Sequence, residues 1–279
     1  MKTILEYPNG IHKAVPHDVY HGRHLGLVSK TAIEQVDRSP AHYRAWVDAV
    51  GDDEAGRHTP AKHFGGAWHC SLLEPERFAR TYVVEPNHGD LRTKAAKAAR
   101  DEWRAAHEGM TYVSDDDMAA MTAMTAAVRA NPLAARMLED GEPELTVLWN
   151  DPETGLRCKT RTDYYVRNRR MAVDLKSADD ASYEAFRRSA AKFGYHTTDA
   201  LYRAGFGAAG ERIDHYVFVV VEKSPPHGVA LYSLHADDIQ KGHAHVVDAT
   251  LKLSECMRND AWPAYPVTIQ TLVLPPWAA

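Results

Sequence analysis

CKTRTDYYVRNRRMAVDLKSADD, residues 158–180, is the stretch that decides how this chain is read. Its opening residues continue a β-prone run from Leu156 to Val166, and Met171–Leu175 is a second, short apolar run. Side chains alternate across a strand, so Asp174 and Lys176 face the same way. Asp163 sits late in the preceding strand and approaches Asp174 once the two strands pair. Two carboxylates and an ammonium then converge at one end of a sheet. That grouping suits phosphodiester hydrolysis. Carboxylate oxygens are the hard ligands Mg²⁺ prefers, and the metal acidifies a bound water and neutralises phosphate charge. A neighbouring lysine orients the attacking water or stabilises the charge of the transition state. Lys159 and Arg161 alternate with Asp163 and are expected on its face. There they either contact the flanking phosphates or form salt bridges with the carboxylates.

Outward from this stretch, Glu144–Asn150 alternates as a strand, and DPETG (151–155) turns it into the next, giving a hairpin. Helices are expected over about 182–192 and 198–204. His215–Glu222 is the most apolar strand, SPPHG (224–228) turns the chain into Val229–Leu234, and a last helix covers about 237–258. Before residue 141 the pattern is helical. Ser29 caps a helix over 30–38, Pro40 opens another through Val50, and further helices cover 62–73, 91–108 and 115–138. Lys94, Lys97, Arg100 and Arg104 share a face as a solvated stripe or a phosphate contact. Met118, Met121 and Met124 read as core packing. Residues 1–24 read as an irregular arm, 51–60 as a polar loop, and 258–279 as an irregular tail. The expectation is one domain: a mixed α/β sheet flanked by helices (141–257), with a mainly helical elaboration before it (25–140).

With 279 residues, 44% hydrophobic and 25% charged, the chain is long enough for such a domain and has ordinary globular composition. Cys70, Cys158 and Cys256 are too scattered for a disulfide framework or a structural zinc site. No apolar run approaches a membrane span, and the first residues lack the long apolar core of a signal peptide, so a cytoplasmic protein is expected. The net charge of −5 gives no bulk attraction to nucleic acid, although an enclosed channel needs only local positive charge.

Four pieces, in order, resemble the RecE-type exonucleases (exonuclease VIII), a phage and prophage branch of the PD-(D/E)XK, or restriction-endonuclease-like, superfamily. They are YHGRHLGLVSKTAIEQVDRSPAHYRAW (20–46), FGGAWHCSLLEPERF (64–78), ETGLRCKTRTDYYV with VDLKSADDAS (153–182), and YHTTDALYRAGF (195–206). The resemblance implies that Asp163 and Asp174 are metal-binding carboxylates and Lys176 the catalytic lysine. It implies that His69, in Gly-x-x-x-His, completes the metal site and that the Leu175 carbonyl is a further ligand. Glu144 falls where the superfamily often carries another acid. Ser29, Tyr195, Thr198 and Tyr202 fall on segments associated with DNA contact, but Thr198 stands where the family has glutamine.

The implied activity is Mg²⁺-dependent digestion of duplex DNA ends, with Mn²⁺ as a substitute because imidazole is a softer ligand. Digestion would run 5′ to 3′ and leave 3′ tails for a single-strand annealing protein of the RecT type. Relatives form rings around DNA, so a homo-oligomer is expected, in a bacterial host cell. Two rival readings are an endonuclease with the same metal site and a non-catalytic DNA-binding or assembly protein on a nuclease fold.

Overall fold

A computed structural model of the chain describes residues 2–49 and 60–274. Most of the polar loop expected at 51–60, with His58, and the last five residues of the tail lie outside them. Among the described residues no helix is long and apolar enough to cross a membrane.

A mixed, mostly antiparallel sheet organises the molecule. It contains β1 (Gly10–His12), β2 (Leu27–Val28), β5 (Glu142–Asn150), β6 (Arg157–Val166), β7 (Met171–Ala178), β8 (His215–Glu222) and β9 (Val229–Tyr232), in the order β1-β5-β6-β7-β8-β9, with β2 also on β6. The expected hairpin is β5–β6, and β7 and β8 run parallel over Met171–Ala178. β8 is covered on both faces, as its continuous apolar run requires. Phe218 and Val220 enter one core, and Val217, Val219 and Val221 the other.

The first core is roofed by α2 (Lys30–Arg38), α3 (Pro40–Asp48), α9 (Tyr183–Lys192), α10 (Tyr195–Ala208) and α11 (Ala236–Asn259), with Trp149, Tyr165 and Phe206 among its large side chains. The second is covered by α4 (Pro60–Leu73) and α7 (Asp115–Ala130). Trp68, Met121 and Met124 are buried there and Met118 packs beside them, as expected of the methionines. One helix expected over 115–138 is two. Asn131 ends α7, and its side chain accepts from Leu133 and Ala134 N–H to cap α8 (Pro132–Met137). Pro75 does more than end α4: it opens α5 (Pro75–Thr81).

A two-stranded parallel ribbon, β3 (Tyr82–Glu85) with β4 (Thr111–Ser114), was not foreseen. α6 (Lys94–Ala106) joins its strands, and Arg104 clamps the helix to Glu85 through two 2.8 Å bonds. Arg100 pairs with Asp101. Two of the four cations on the basic face are therefore held by carboxylates.

The arm is ordered, contrary to the irregular reading. β1 pairs with β5, and α1 (His17–His21) packs alongside. Ile4, Val15 and Leu27 bury against Leu148 of β5. Lys159 and Arg161 anchor it from β6. Lys159 Nζ donates to the carbonyls of Tyr20 and Gly22 (2.8 Å to the latter). Arg161 donates to the Val15 carbonyl and to Thr146 Oγ1, both at 2.8 Å. The Tyr20 ring lies over both, 4.1 Å from the Arg161 guanidinium and 5.0 Å from Lys159 Nζ. Both cations are buried. Burial, reinforced by Arg161, pushes Lys159 down to about 7. These contacts correct the expectation of phosphate binding: both side chains are occupied by backbone carbonyls beneath the arm.

Two stability predictions follow from the packing around the site. A methyl added to Gly242 of α11 would lie 2.1 Å from the backbone carbonyl of His196 in α10. Gly242→Ala gains about 1 kcal/mol of helix propensity but forces two backbones apart at up to about 3 kcal/mol, so a net loss of about 2 kcal/mol is expected in urea unfolding. Arg161→Ala leaves buried acceptors unpaired and should cost about 2–3 kcal/mol by the same measurement, with earlier protease cleavage in residues 13–24. A stability equal to that of the native chain would show that Arg161 does not hold the arm.

Candidate active site

The site forms where β6 changes partners. Residues 157–158 pair with β2, and 164–166 pair with β7 in the register Tyr164↔Val173, Tyr165↔Ala172, Val166↔Met171. Between them, residues 159–163 have no strand on that edge among the described residues. Asp163 and Asp174 lie one step beyond the last rung. The Asp163 carboxylate takes over the lost pairing, accepting the Leu175 N–H at 2.8 Å. A residue's N–H and C=O point to the same strand edge, so the Leu175 carbonyl also faces this gap.

The strand turns over at the same point. In a regular strand Cys158, Tyr164 and Val166 would share a face. Here Cys158 lies in the first core, and Tyr164 and Val166 lie in the second. Hence Lys159 and Arg161 look toward the arm and not along the face that regular alternation with Asp163 predicts. Glu144, opposite Asp163 in the β5–β6 register, has φ +52°, a left-handed conformation that is uncommon for a non-glycine residue and costs about 1–3 kcal/mol.

Asp174 is buried and fully engaged. Lys176 Nζ donates to Oδ1, and the Tyr216 hydroxyl donates to Oδ2 at 2.8 Å. His69 Nδ1, from α4, stands 3.5 Å from Asp163 Oδ2. Burial works against charge on Lys176, but Asp174 and Asp163 outweigh it and hold the ammonium protonated. Burial pushes Asp163 up, and Asp174 adds to this while His69 and Lys176 oppose it. Glu144 is pushed up to about 8 by burial and by Asp163, against the pull of Arg161, whose guanidinium lies 3.7 Å away. Tyr195, at the start of α10, sets its ring 5.0 Å from Lys176 Nζ.

The structure thus brings Asp163, Asp174, Lys176, His69 and the Leu175 backbone together, with Glu144 beside them. Of the expected DNA-contact side chains on α2 and α10, Ser29 and Thr198 are buried, whereas Tyr195 and Tyr202 stay partly exposed. Ser29 is buried, its hydroxyl accepting from Ala32 N–H to cap α2. Thr198 is buried within α10, and the half-buried Tyr202 packs edge-on against Tyr216 at 5.8 Å. Tyr216 and Tyr20 were missed. Tyr216 opens an apolar strand and reads there as core; only the β7–β8 register, which sets it opposite Ala172, brings its hydroxyl to Asp174.

The residues fit a divalent cation. The buried Asp174 and the half-buried Asp163 carboxylates repel one another, and Lys176, with His69 against Asp163, offsets that charge. Among the described residues no group of three or more His, Cys, Asp or Glu side chains stands ready to hold a metal. Mg²⁺ commonly takes one or two carboxylates and keeps several waters, so Asp163, Asp174 and the Leu175 carbonyl meet its needs.

Comparison with known proteins bears on the fold. Residues 29–272 match the family described as a PDDEXK-like domain of unknown function (DUF3799). No curated protein matches the chain. A crystal structure from Eubacterium rectale, provisionally named an exonuclease, superposes with a TM-score of 0.57 at 12% identity, covering 92% of this chain and 97% of that one. A phage-related exonuclease from Haemophilus somnus 129PT gives a TM-score of 0.30 at 15% identity, over 60% of this chain and 85% of that one. The family match, which spans residues 29–272, places this chain in the PDDEXK-like family DUF3799, within the PD-(D/E)XK fold.

Proposed function

We propose that this protein is a divalent-metal-dependent exodeoxyribonuclease acting on duplex DNA ends. The observation that carries the reading is the meeting of Asp163, Asp174 and Lys176 in the unpaired gap of β6, on a nuclease fold. Asp163 and Asp174, with the Leu175 carbonyl, would hold the ion, and His69 lies against Asp163. When bound, a divalent ion supplies an acidified water and polarises the scissile phosphate. Lys176, kept charged by its two carboxylates, donates to a phosphate oxygen or orients the attacking water. The half-buried Tyr195 ring narrows the space open to the ammonium.

Mg²⁺ is the proposed ion, with Mn²⁺ as a substitute. The resemblance to RecE-type enzymes supports 5′ to 3′ polarity, 3′ single-stranded products and a RecT-type annealing partner. It also supports a homo-oligomeric ring. Enclosure would hold DNA without bulk charge, which suits a chain of net charge −5.

The test is digestion of linear and closed circular duplexes, 5′-labelled, in Mg²⁺ and in EDTA. Loss of the linear substrate alone, dependent on metal and starting at the label, is the expected result. Cutting of the circle would replace the proposal with an endonuclease, and binding without cutting would replace it with a non-catalytic protein. Lys176→Ala should lower the cleavage rate by about 10²–10³-fold or more while leaving DNA affinity unchanged. Native turnover in that variant would remove the lysine from the mechanism.

A further inference from the structure

Asp174 is held from two sides by donors of different character. Lys176 reaches Oδ1 at the end of a flexible stem and keeps part of its side chain exposed. Tyr216 reaches Oδ2 at 2.8 Å from a buried aromatic ring. Only 2% of Tyr216 is exposed, and its ring is wedged between Tyr202 at 5.8 Å and Phe218 at 5.2 Å. β8 fixes it further: Tyr216 lies opposite Ala172 and Phe218 opposite Asp174, so the hydroxyl meets the carboxylate diagonally across two paired strands.

We propose that Tyr216 is a positioning residue that fixes the Asp174 carboxylate so that Oδ1 alone is presented to the metal. Lys176 holds that oxygen in the free protein and releases it to the incoming ion. The inference rests on the metal-dependent reading above and deepens it. It divides the two donors by role: Tyr216 stays on Asp174 throughout, whereas Lys176 and the cation compete for one oxygen. Groups that orient a ligating carboxylate are worth about 10–100-fold in metal affinity.

Opposite effects on affinity are therefore expected from the two donors. Tyr216→Phe keeps the ring and its packing, so the variant should fold with a native circular dichroism spectrum. Mn²⁺ binding to the full chain, followed by titration calorimetry, should weaken about 10–100-fold in Tyr216→Phe. In Lys176→Ala, which removes the competitor, it should be tighter. Cleavage by Tyr216→Phe should recover toward the native rate as Mn²⁺ is raised, which a general packing defect would not allow. Native Mn²⁺ affinity in Tyr216→Phe would overturn the proposal, as would weakened binding that excess metal does not rescue. If the native chain binds no Mn²⁺, the metal-dependent function falls first and the tyrosine's role falls with it. The native chain's own titration thus separates the two failures.

Discussion

One hydrogen bond sets the layout of the site: the Asp163 carboxylate on the Leu175 N–H. Where β6 and β7 part, a backbone donor would be stranded in a largely buried region, and an unpaired donor there costs about 1–3 kcal/mol. A side-chain oxygen replaces the missing carbonyl. The same substitution turns a structural aspartate into one aimed at Asp174, so closing the sheet and assembling the charge cluster are a single event. β2 fills β6 on one side of the gap and β7 on the other, which confines the opening to residues 159–163.

The charge balance of the gap depends on its walls. Tyr216 and Lys176 satisfy both oxygens of Asp174, and the arm closes over Lys159 and Arg161. Glu144 stands between the two groups, within reach of Arg161 and electrostatically coupled to Asp163. Its left-handed backbone is the kind of strain that persists only where the surrounding structure over-determines it.

Much of this was legible in the sequence. The hairpin, the apolar central strand, the cap at Ser29 and the Asp163–Asp174–Lys176 grouping follow from alternation, turn residues and spacing, all of them local signals. What was not legible is non-local. The reading of Lys159 and Arg161 assumed a strand of constant parity, and no local signal marks the turnover beside Asp163. The arm looked irregular because β1 is three residues long and takes its order from β5, far along the chain. Asn131 and Pro132 did carry a signal, a cap followed by a first-turn proline, inside a stretch read as one helix. Tyr216 shows the limit most plainly: on its own strand it is core, and only the neighbouring strand makes it part of the site.

The arm also has a consequence for how the chain matures. Lys159 and its carbonyl partner on Tyr20 are separated by 139 positions. During vectorial synthesis at about 5–20 residues per second, the arm would emerge on the order of 7–30 s before β6 exists to receive it. Through that interval Ile4, Val15 and Leu27 have no Leu148 to bury against, and the site cannot be walled off. Assembly of the catalytic gap is thereby deferred until β5, β6 and β7 have been made.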